Sequence, residues 1–188
     1  MPIKIPVEIS ARHIHLSQKD LEKLFGKNYV LKKQRDLTLP GEFAAEEKVK
    51  ITAKKGELDL RVVGPVRKNT QIEISLTDSF YLGIRPVLKV SGDVKSTPGA
   101  VLTGPYGKVN LKQGVILAQR HIHCNKKEAG ELGLKNGQNV SVRMAGPRGL
   151  VFDQVKIRVR DDFVLVMHLD TDEGNAAGIN QKTLGFLV

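Results

Sequence analysis

Short runs in which apolar and polar residues alternate dominate the chain and predict strands. In residues 48–52, for example, Val49 and Ile51 alternate with lysine and threonine, and successive side chains of a strand point to opposite faces. This period of two, with frequent valine and isoleucine, predicts a mainly β protein. The predicted strands are Lys48–Thr52, Glu57–Val63, Gln71–Leu76, Asn139–Arg143, Gln154–Val159 and Phe163–His168.

Helical patterns are few and short. The clearest begins after Ser17, a residue type that commonly caps helices, and carries Leu21 and Leu24 at helical spacing up to Gly26. A shorter counterpart begins after a second candidate cap, Asn125. In both copies the same four residues, Arg-His-Ile-His, are followed after one further residue by the cap and then the helix, so the two segments indicate a duplication.

The duplication extends well beyond these four residues. When Arg12 is laid over Arg120, the similarity continues through the helix to a later strand that precedes a Thr-Asp pair. In this alignment of the two copies, Glu73 of the first copy corresponds to His168 of the second. Because repeats usually mark similar folding units, the sequence predicts two small β-barrel domains with short capping helices, related by an internal repeat.

Composition narrows the class of protein. The chain has 188 residues, enough for one large domain or two small ones. Its apolar runs are far shorter than the ~18 residues that a membrane span needs, and the N-terminus lacks the pattern of a signal peptide. The single cysteine, Cys124, excludes an internal disulfide. We therefore expect a cytoplasmic protein with no membrane partner.

A net charge of +10 indicates anionic partners, either nucleic acid or phosphorylated small molecules. Lysines and arginines are scattered without a long basic run, and aromatic residues make up only 5% of the chain. Stacking platforms for single-stranded nucleic acid are therefore scarce, which disfavours a nucleic-acid partner. A basic nucleic-acid-binding module remains the non-enzyme alternative, and it predicts salt-sensitive binding without a need for zinc.

The histidines supply the candidate chemistry. In a strand, His13 and His15 face the same side while Ile14 faces the core, and His121 and His123 repeat this arrangement. Two adjacent imidazoles can chelate one cation, and zinc accepts nitrogen and carboxylate ligands while three protein ligands leave a position open for substrate. The sequence predicts an open dinuclear zinc site and does not decide whether the metals share ligands. The two ligand sets are His13, His15 and Glu73, and His121, His123 and His168.

Five segments together resemble the PduL-type phosphate propanoyltransferases. The similarity covers essentially the whole chain, with the segments in the same order. These segments are R-H-I-H-L-S at residues 12–17, D-L-T-L-P-G-E-F-A-A-E-E at 36–47, G-P-V-R-K-N-T-Q-I-E-I-S at 64–75, R-H-I-H at 120–123 and H-L-D-T-D-E-G-N-A-A-G at 168–178.

The resemblance implies an enzyme with two zinc ions that interconverts an acyl-CoA plus phosphate with an acyl phosphate plus coenzyme A. It also implies crossed domains: residues 12–92 form one barrel, residues 1–11 and 111–188 form the other, and 93–110 connect them. Relatives destined for bacterial microcompartments carry an N-terminal extension ahead of the barrel. Its absence from this sequence favours a free cytoplasmic enzyme or a chain from which such an extension was removed, and the sequence does not decide between them. The preferred acyl group and any homo-oligomer stay open.

Arg67 is the candidate catalytic residue. It lies six residues before Glu73, matches the arginine that the family uses in catalysis, and carries a guanidinium suited to a two-point grip on phosphate. A role in flanking a turn is the alternative. Candidates for binding coenzyme A are Ser10, Arg35 and Arg61, with Asn175 near the thiol end; a solvated surface role is the alternative for each.

Two cations side by side can neutralise the charge that develops when phosphate attacks a thioester directly. Cys124 follows His123 and should therefore point away from the metals, which disfavours an acyl-cysteine intermediate. The alternative enzyme is a dinuclear zinc hydrolase, a thioesterase or phosphatase, in which water bound to the metal is the nucleophile.

Overall fold

The structure, a computed structural model, describes residues 3–180 and 183–188, and most of its regular elements are strands. The prediction of a mainly β protein is confirmed. Within the described residues the strands are β1 (Lys4–Ile9), β2 (His13–His15), β3 (Lys33–Asp36), β4 (Phe43–Thr52), β5 (Glu57–Gly64), β6 (Gln71–Glu73), β7 (Val87–Lys89), β8 (Ala100–Thr103), β9 (Lys108–Leu111), β10 (Val115–Ala118), β11 (His121–Cys124), β12 (Asn139–Met144), β13 (Leu150–Val159), β14 (Val166–Leu169) and β15 (Leu184–Leu187).

The same residues form four short helices, each begun by a capping side chain. Ser17 accepts a hydrogen bond from the N–H of Asp20, and Asn125 accepts one from Glu128, so the two predicted helices are confirmed. In the described part of the chain, no helix has the length and apolar character to cross a membrane. The helices are α1 (Gln18–Phe25), α2 (Leu76–Leu82), α3 (Lys126–Leu132) and α4 (Thr171–Ala177).

The chain divides into two compact units. The terminal unit comprises Met1–Ser10 and Gln119–Val188, and the central unit comprises Ala11–Ala118. In the terminal unit six strands close into a barrel in the order β1, β14, β11, β13, β12, β15. The N-terminal strand β1 pairs in parallel with β14 and antiparallel with β15, so it belongs to the barrel formed by the C-terminal strands.

The central unit is built on a nine-stranded sheet. Its order is β7, β10, β6, β2, β5, β4, β8, β9, and β3 pairs with β4 beside this path. The path through the described strands ends at β7 and β9, so closure of a second barrel stays a prediction. Its core packs the sheet against α1 through residues such as Ile14, Leu21 and Leu24, all at most 1% exposed.

The unit boundaries differ from the predicted domains. Residues 93–110, predicted to connect the barrels, contain β8 and β9, and β8 pairs with β4. Residues 111–118 include β10, which pairs with β6. The structure therefore places residues 93–118 inside the central unit, because their backbone hydrogen bonds are made there.

Two predicted strands have different bounds in the structure. The strand predicted to continue to Leu76 ends at Glu73, because Ser75 adopts a capping conformation and accepts from the N–H of Asp78. The strand predicted from Phe163 begins only at Val166 and is followed by a helix of the same kind. Neither α2 nor α4 was predicted from the sequence, although their Thr-Asp pairs lie in the first helical turn.

A pair of arginines ties these helices to the histidine strands. Arg12 donates through Nε to Asp78 at 2.9 Å, and Arg120 Nε lies 2.7 Å from Glu173. Both acids occupy the third position of a helix, where each also accepts a bond from the backbone N–H of the capping residue. The repeat thus links each Arg-His-Ile-His segment to the helix that follows the third candidate ligand.

The Asp78→Ala substitution should destabilise the protein by about 2 kcal/mol, since it removes a cap interaction and leaves Arg12 without this partner. Asp78 is only 5% exposed, so water cannot replace these bonds. Urea unfolding of chelator-treated protein measures the change. Asp161→Ala, which breaks an exposed pair with Lys126, is the control and should leave the midpoint nearly unchanged. Equal losses for both variants would contradict this role of Asp78.

Candidate functional site

The structure gathers the six predicted metal ligands into two clusters. In each cluster one ligand atom from every residue lies within 4.8 Å of the other two. His13, His15 and Glu73 belong to the central unit, and all three side chains are buried. The second cluster belongs to the terminal unit and consists of His121, His123 and His168.

Strand register builds both clusters in the same way. On the antiparallel pair β2 and β6, His13 stands directly opposite Glu73. On the antiparallel pair β11 and β14, His121 stands opposite His168. The isoleucine between each pair of histidines is completely buried in the core of its unit, as the alternation predicted. The internal repeat therefore extends to the pairing of individual residues.

Backbone carbonyls fix the histidine rings of the first cluster. The Nδ1 atoms of His13 and His15 lie 2.8 Å from the Ala11 oxygen and 3.0 Å from the Val63 oxygen. A carbonyl oxygen only accepts, so Nδ1 carries the proton and Nε2 presents a lone pair. The two Nε2 atoms are 3.2 Å apart, near the separation of about 3.4 Å expected for two nitrogen ligands of one tetrahedral zinc ion. This pair therefore fits a single metal ion.

The second cluster follows the same design with one difference. His121 Nδ1 lies 2.8 Å from the Gln119 oxygen, and its Nε2 lies 2.8 Å from His123 Nε2. Among the described residues, His123 Nδ1 is buried without a hydrogen-bond partner. The ring of His168 is 5.0 Å from that of His123 and completes the cluster. A bound ion or water would satisfy such a nitrogen.

Burial keeps two of the histidines neutral. The pKa of His15 lies well below its ordinary value, first because burial disfavours the charged ring and then because His13 repels it. The pKa of His123 is lowered for the same reasons, burial first and His121 second. Neutral imidazole is the form that binds metals, so both rings are ready to ligate a cation at neutral pH.

Arg67 brings a positive charge to the first cluster. Its charge contributes to the lowered pKa of His15, after burial and His13. Its side chain is 31% exposed, and NH2 donates to the carboxylate of Glu42 at 2.8 Å. Its backbone N–H donates to the Leu16 oxygen, which holds it beside the end of the histidine strand. Glu42 was not predicted as a partner of Arg67, since no local sequence pattern links residues 25 positions apart.

The residues predicted to bind coenzyme A lie in both units. Arg61, on β5, donates to the carbonyl oxygens of Ala45 and Glu46 at 3.0 and 3.1 Å, whereas Arg35 is exposed on β3. In the terminal unit Ser10 follows β1, and Asn175 is exposed on α4, a helix that packs against β1. Their roles in binding stay predictions.

Cys124 points away from the second cluster. Its side chain is fully buried in the apolar core of the terminal unit together with Ile122, on the face of β11 opposite to the histidines. This confirms the orientation that the sequence predicted. Burial also raises the pKa of the thiol, which disfavours the nucleophilic thiolate.

The lowered pKa values of His15 and His123 predict that the metal-free protein loses stability in acid. In the unfolded chain each ring binds a proton below about pH 6.5, whereas the folded protein keeps it neutral. The free energy of unfolding should therefore fall by about 1.4 kcal/mol per pH unit for each ring below that pH. Urea unfolding after chelation, from about pH 8 to about pH 5, measures this. The double variant His15→Gln, His123→Gln should decline less steeply; an equal decline would contradict the assignment.

Comparison with known proteins identifies the family of this chain. The phosphate propanoyltransferase family matches residues 6–180. A phosphate propanoyltransferase of Thermotoga maritima is 50% identical over 98% of this chain and 89% of its own. Those of Sebaldella termitidis and Rhodopseudomonas palustris are each 46% identical, over 95% and 93% of this chain and 85% and 78% of theirs. The chain therefore belongs to the phosphate propanoyltransferase family and is an acyltransferase.

Proposed function

We propose that the protein interconverts a short-chain acyl-CoA plus phosphate with the acyl phosphate plus coenzyme A, using two zinc ions per chain. Propanoyl-CoA and acetyl-CoA are the candidate substrates. The family supplies the reaction class. The observation that carries the zinc proposal is the pair of three-ligand clusters, in which paired histidines present Nε2 toward each other.

The donor set favours zinc over magnesium and calcium. Each cluster offers imidazole nitrogens, and the first adds a carboxylate, a combination that suits zinc better than the all-oxygen sites of magnesium or calcium. Three protein ligands leave a position for substrate. Bound zinc would polarise a carbonyl or phosphate oxygen and tolerate a thiolate sulfur.

Arg67 is proposed to hold the phosphate. Its guanidinium has several N–H donors in a planar fork, and the bond to Glu42 fixes its orientation through NH2 alone. A positive charge close to His15 also favours an anion beside the first cluster. Held there, a phosphate oxygen can be aligned with the thioester carbon that it attacks.

Direct attack by phosphate accounts for the whole transfer. A phosphate oxygen forms a bond to the acyl carbon, the carbon–sulfur bond breaks, and coenzyme A leaves as the thiolate. No enzyme nucleophile is required, and the buried Cys124 is on the wrong face of β11 to supply one. Ser10, Arg35, Arg61 and Asn175 are proposed to bind coenzyme A, the arginines through its phosphates.

The first test concerns metal and phosphate together. The protein should contain about two zinc ions per chain, release thiol from propanoyl-CoA only when phosphate is present, and lose activity on chelation. His121→Ala should lose about one zinc ion and the activity, since an inner ligand is removed. Elemental analysis and a thiol-release assay measure both. Thiol release that does not need phosphate would identify a zinc hydrolase instead, and fully active protein without metal would refute the zinc proposal.

The second test separates anion binding from metal binding. Arg67→Ala should keep its zinc but lose ~10²- to 10³-fold in rate, by analogy with the loss of one donor to a developing oxyanion. Arg67→Lys should recover part of the rate because it keeps the charge without the fork. A steady-state assay at varied phosphate, with zinc counted for each variant, measures this. Arg85→Ala removes an exposed arginine of the same unit and serves as the control. Normal turnover by Arg67→Ala would mean that Arg67 only flanks a turn.

A further inference from the structure

A buried glutamine lies beside the carboxylate of the first cluster. Gln71 is 2% exposed and precedes Glu73 by two residues on β6, so both side chains lie on one face of the strand. Gln71 Nε2 donates to Glu73 Oε1 at 2.7 Å. The other carboxylate oxygen, Oε2, lies 3.8 Å from Nε2 of His13. The two oxygens of Glu73 therefore face different partners.

The amide of Gln71 is itself held in one orientation. Its Nε2 also donates to the hydroxyl of Ser91 at 2.9 Å, and its Oε1 accepts from the backbone N–H of Gly92 at 2.6 Å. Because that N–H can only donate, the amide oxygen must face Gly92 and the amide nitrogen must face Glu73. Ser91 and Gly92 lie in a tight turn closed by a bond from the N–H of Asp93 to the Val90 oxygen at 3.0 Å. The hydrogen bonds to Ser91 and Gly92 therefore fix the orientation in which Gln71 Nε2 donates to Glu73.

The second repeat has a valine at the position that Gln71 occupies in the first. Gln71 stands opposite His15 across the strand pair, and the equivalent position opposite His123 is occupied by Val166. The third candidate ligand there is His168, whose imidazole would hold a metal through one ring nitrogen. A carboxylate can bind through either oxygen or both, so only the first cluster requires a choice between them. Gln71 therefore occurs in the repeat whose third candidate ligand is a carboxylate.

We propose that Gln71 is a positioning residue that holds Oε1 of Glu73 and thereby directs Oε2 alone to the metal of the first cluster. This inference rests on the proposed function, since it concerns the zinc ion assigned there. A hydrogen bond to a ligating carboxylate fixes its orientation, and loss of such a bond typically lowers metal affinity by ~10- to 100-fold. Ligation through one oxygen also leaves room for a substrate oxygen at the same ion.

The test compares zinc affinities of the full-length chain and its Gln71→Met variant, which keeps the volume but removes the donor. Competition with a chromophoric chelator should show one zinc ion bound ~10- to 100-fold more weakly and the other unchanged. Repeating the titration in a His121→Ala background, where only the first cluster is complete, identifies the weakened site. With cobalt in place of zinc, the absorption spectrum of the first site should differ between the unsubstituted chain and Gln71→Met, because the oxygen ligation of the metal differs.

Thr97→Val is the matched control. Thr97 is also a buried polar residue of the central unit, and it bonds to the Val94 oxygen and the Gly114 N–H rather than to a candidate ligand. It should lower stability without changing either zinc affinity. If Gln71→Met does not fold, Ser91→Ala provides the test: it removes a partner of the amide and should weaken the same site by a smaller factor.

The outcomes distinguish this inference from the proposed function. If Gln71→Met is less stable but binds both zinc ions as tightly as the unsubstituted chain, Gln71 has a structural role and the positioning role is refuted. If Gln71→Met and Thr97→Val weaken zinc binding equally, the effect is general and the positioning role is again refuted. If the unsubstituted chain binds no zinc, the zinc proposal fails and the positioning role falls with it.

Discussion

The antiparallel pairing of each histidine strand with the strand of the third candidate ligand is the constraint on which the site depends. It places His13 opposite Glu73 and His121 opposite His168. A shift of one residue in this register would turn the ligands toward the core and the buried isoleucines toward the site. The apolar cores and the arginine bonds to the following helices therefore also fix the geometry of the two clusters.

The clusters concentrate polar atoms where burial is costly. Imidazole rings in each unit are packed so closely that repulsion adds to burial in lowering the pKa of His15 and His123. Carbonyl oxygens hold Nδ1 in three of the rings, which directs Nε2 of those rings into the clusters. Such an arrangement sacrifices stability for a site that needs little rearrangement to bind a cation, a common compromise in functional sites.

The two copies of the repeat share the same strand pairing and arginine–helix contact but differ in their candidate ligands. Both have an arginine bonded to the third residue of a helix, and both have paired histidines. The central copy combines a carboxylate among its candidate ligands with Gln71 and with the guanidinium of Arg67 close to His15. The proposed phosphate site therefore lies at the central cluster, whereas the candidate ligands of the terminal cluster are three imidazoles.

The β class and the orientation of Cys124 toward the core followed from the sequence, because period-two alternation is a local pattern. Both cluster compositions also followed from it, because the repeat puts Glu73 and His168 at equivalent positions. The sequence also marked α1 and α3 through their caps. Helices α2 and α4 were not predicted; the apolar pattern of residues 71–76 continued past the cap of α2 at Ser75, and the cap of α4 at Asp170 was not recognised. Only the tertiary structure decided the unit boundaries, the pairing of Arg67 with Glu42 and the hydrogen bonds of Gln71 with Ser91 and Gly92. These depend on contacts between residues 20 or more positions apart, which no local pattern encodes.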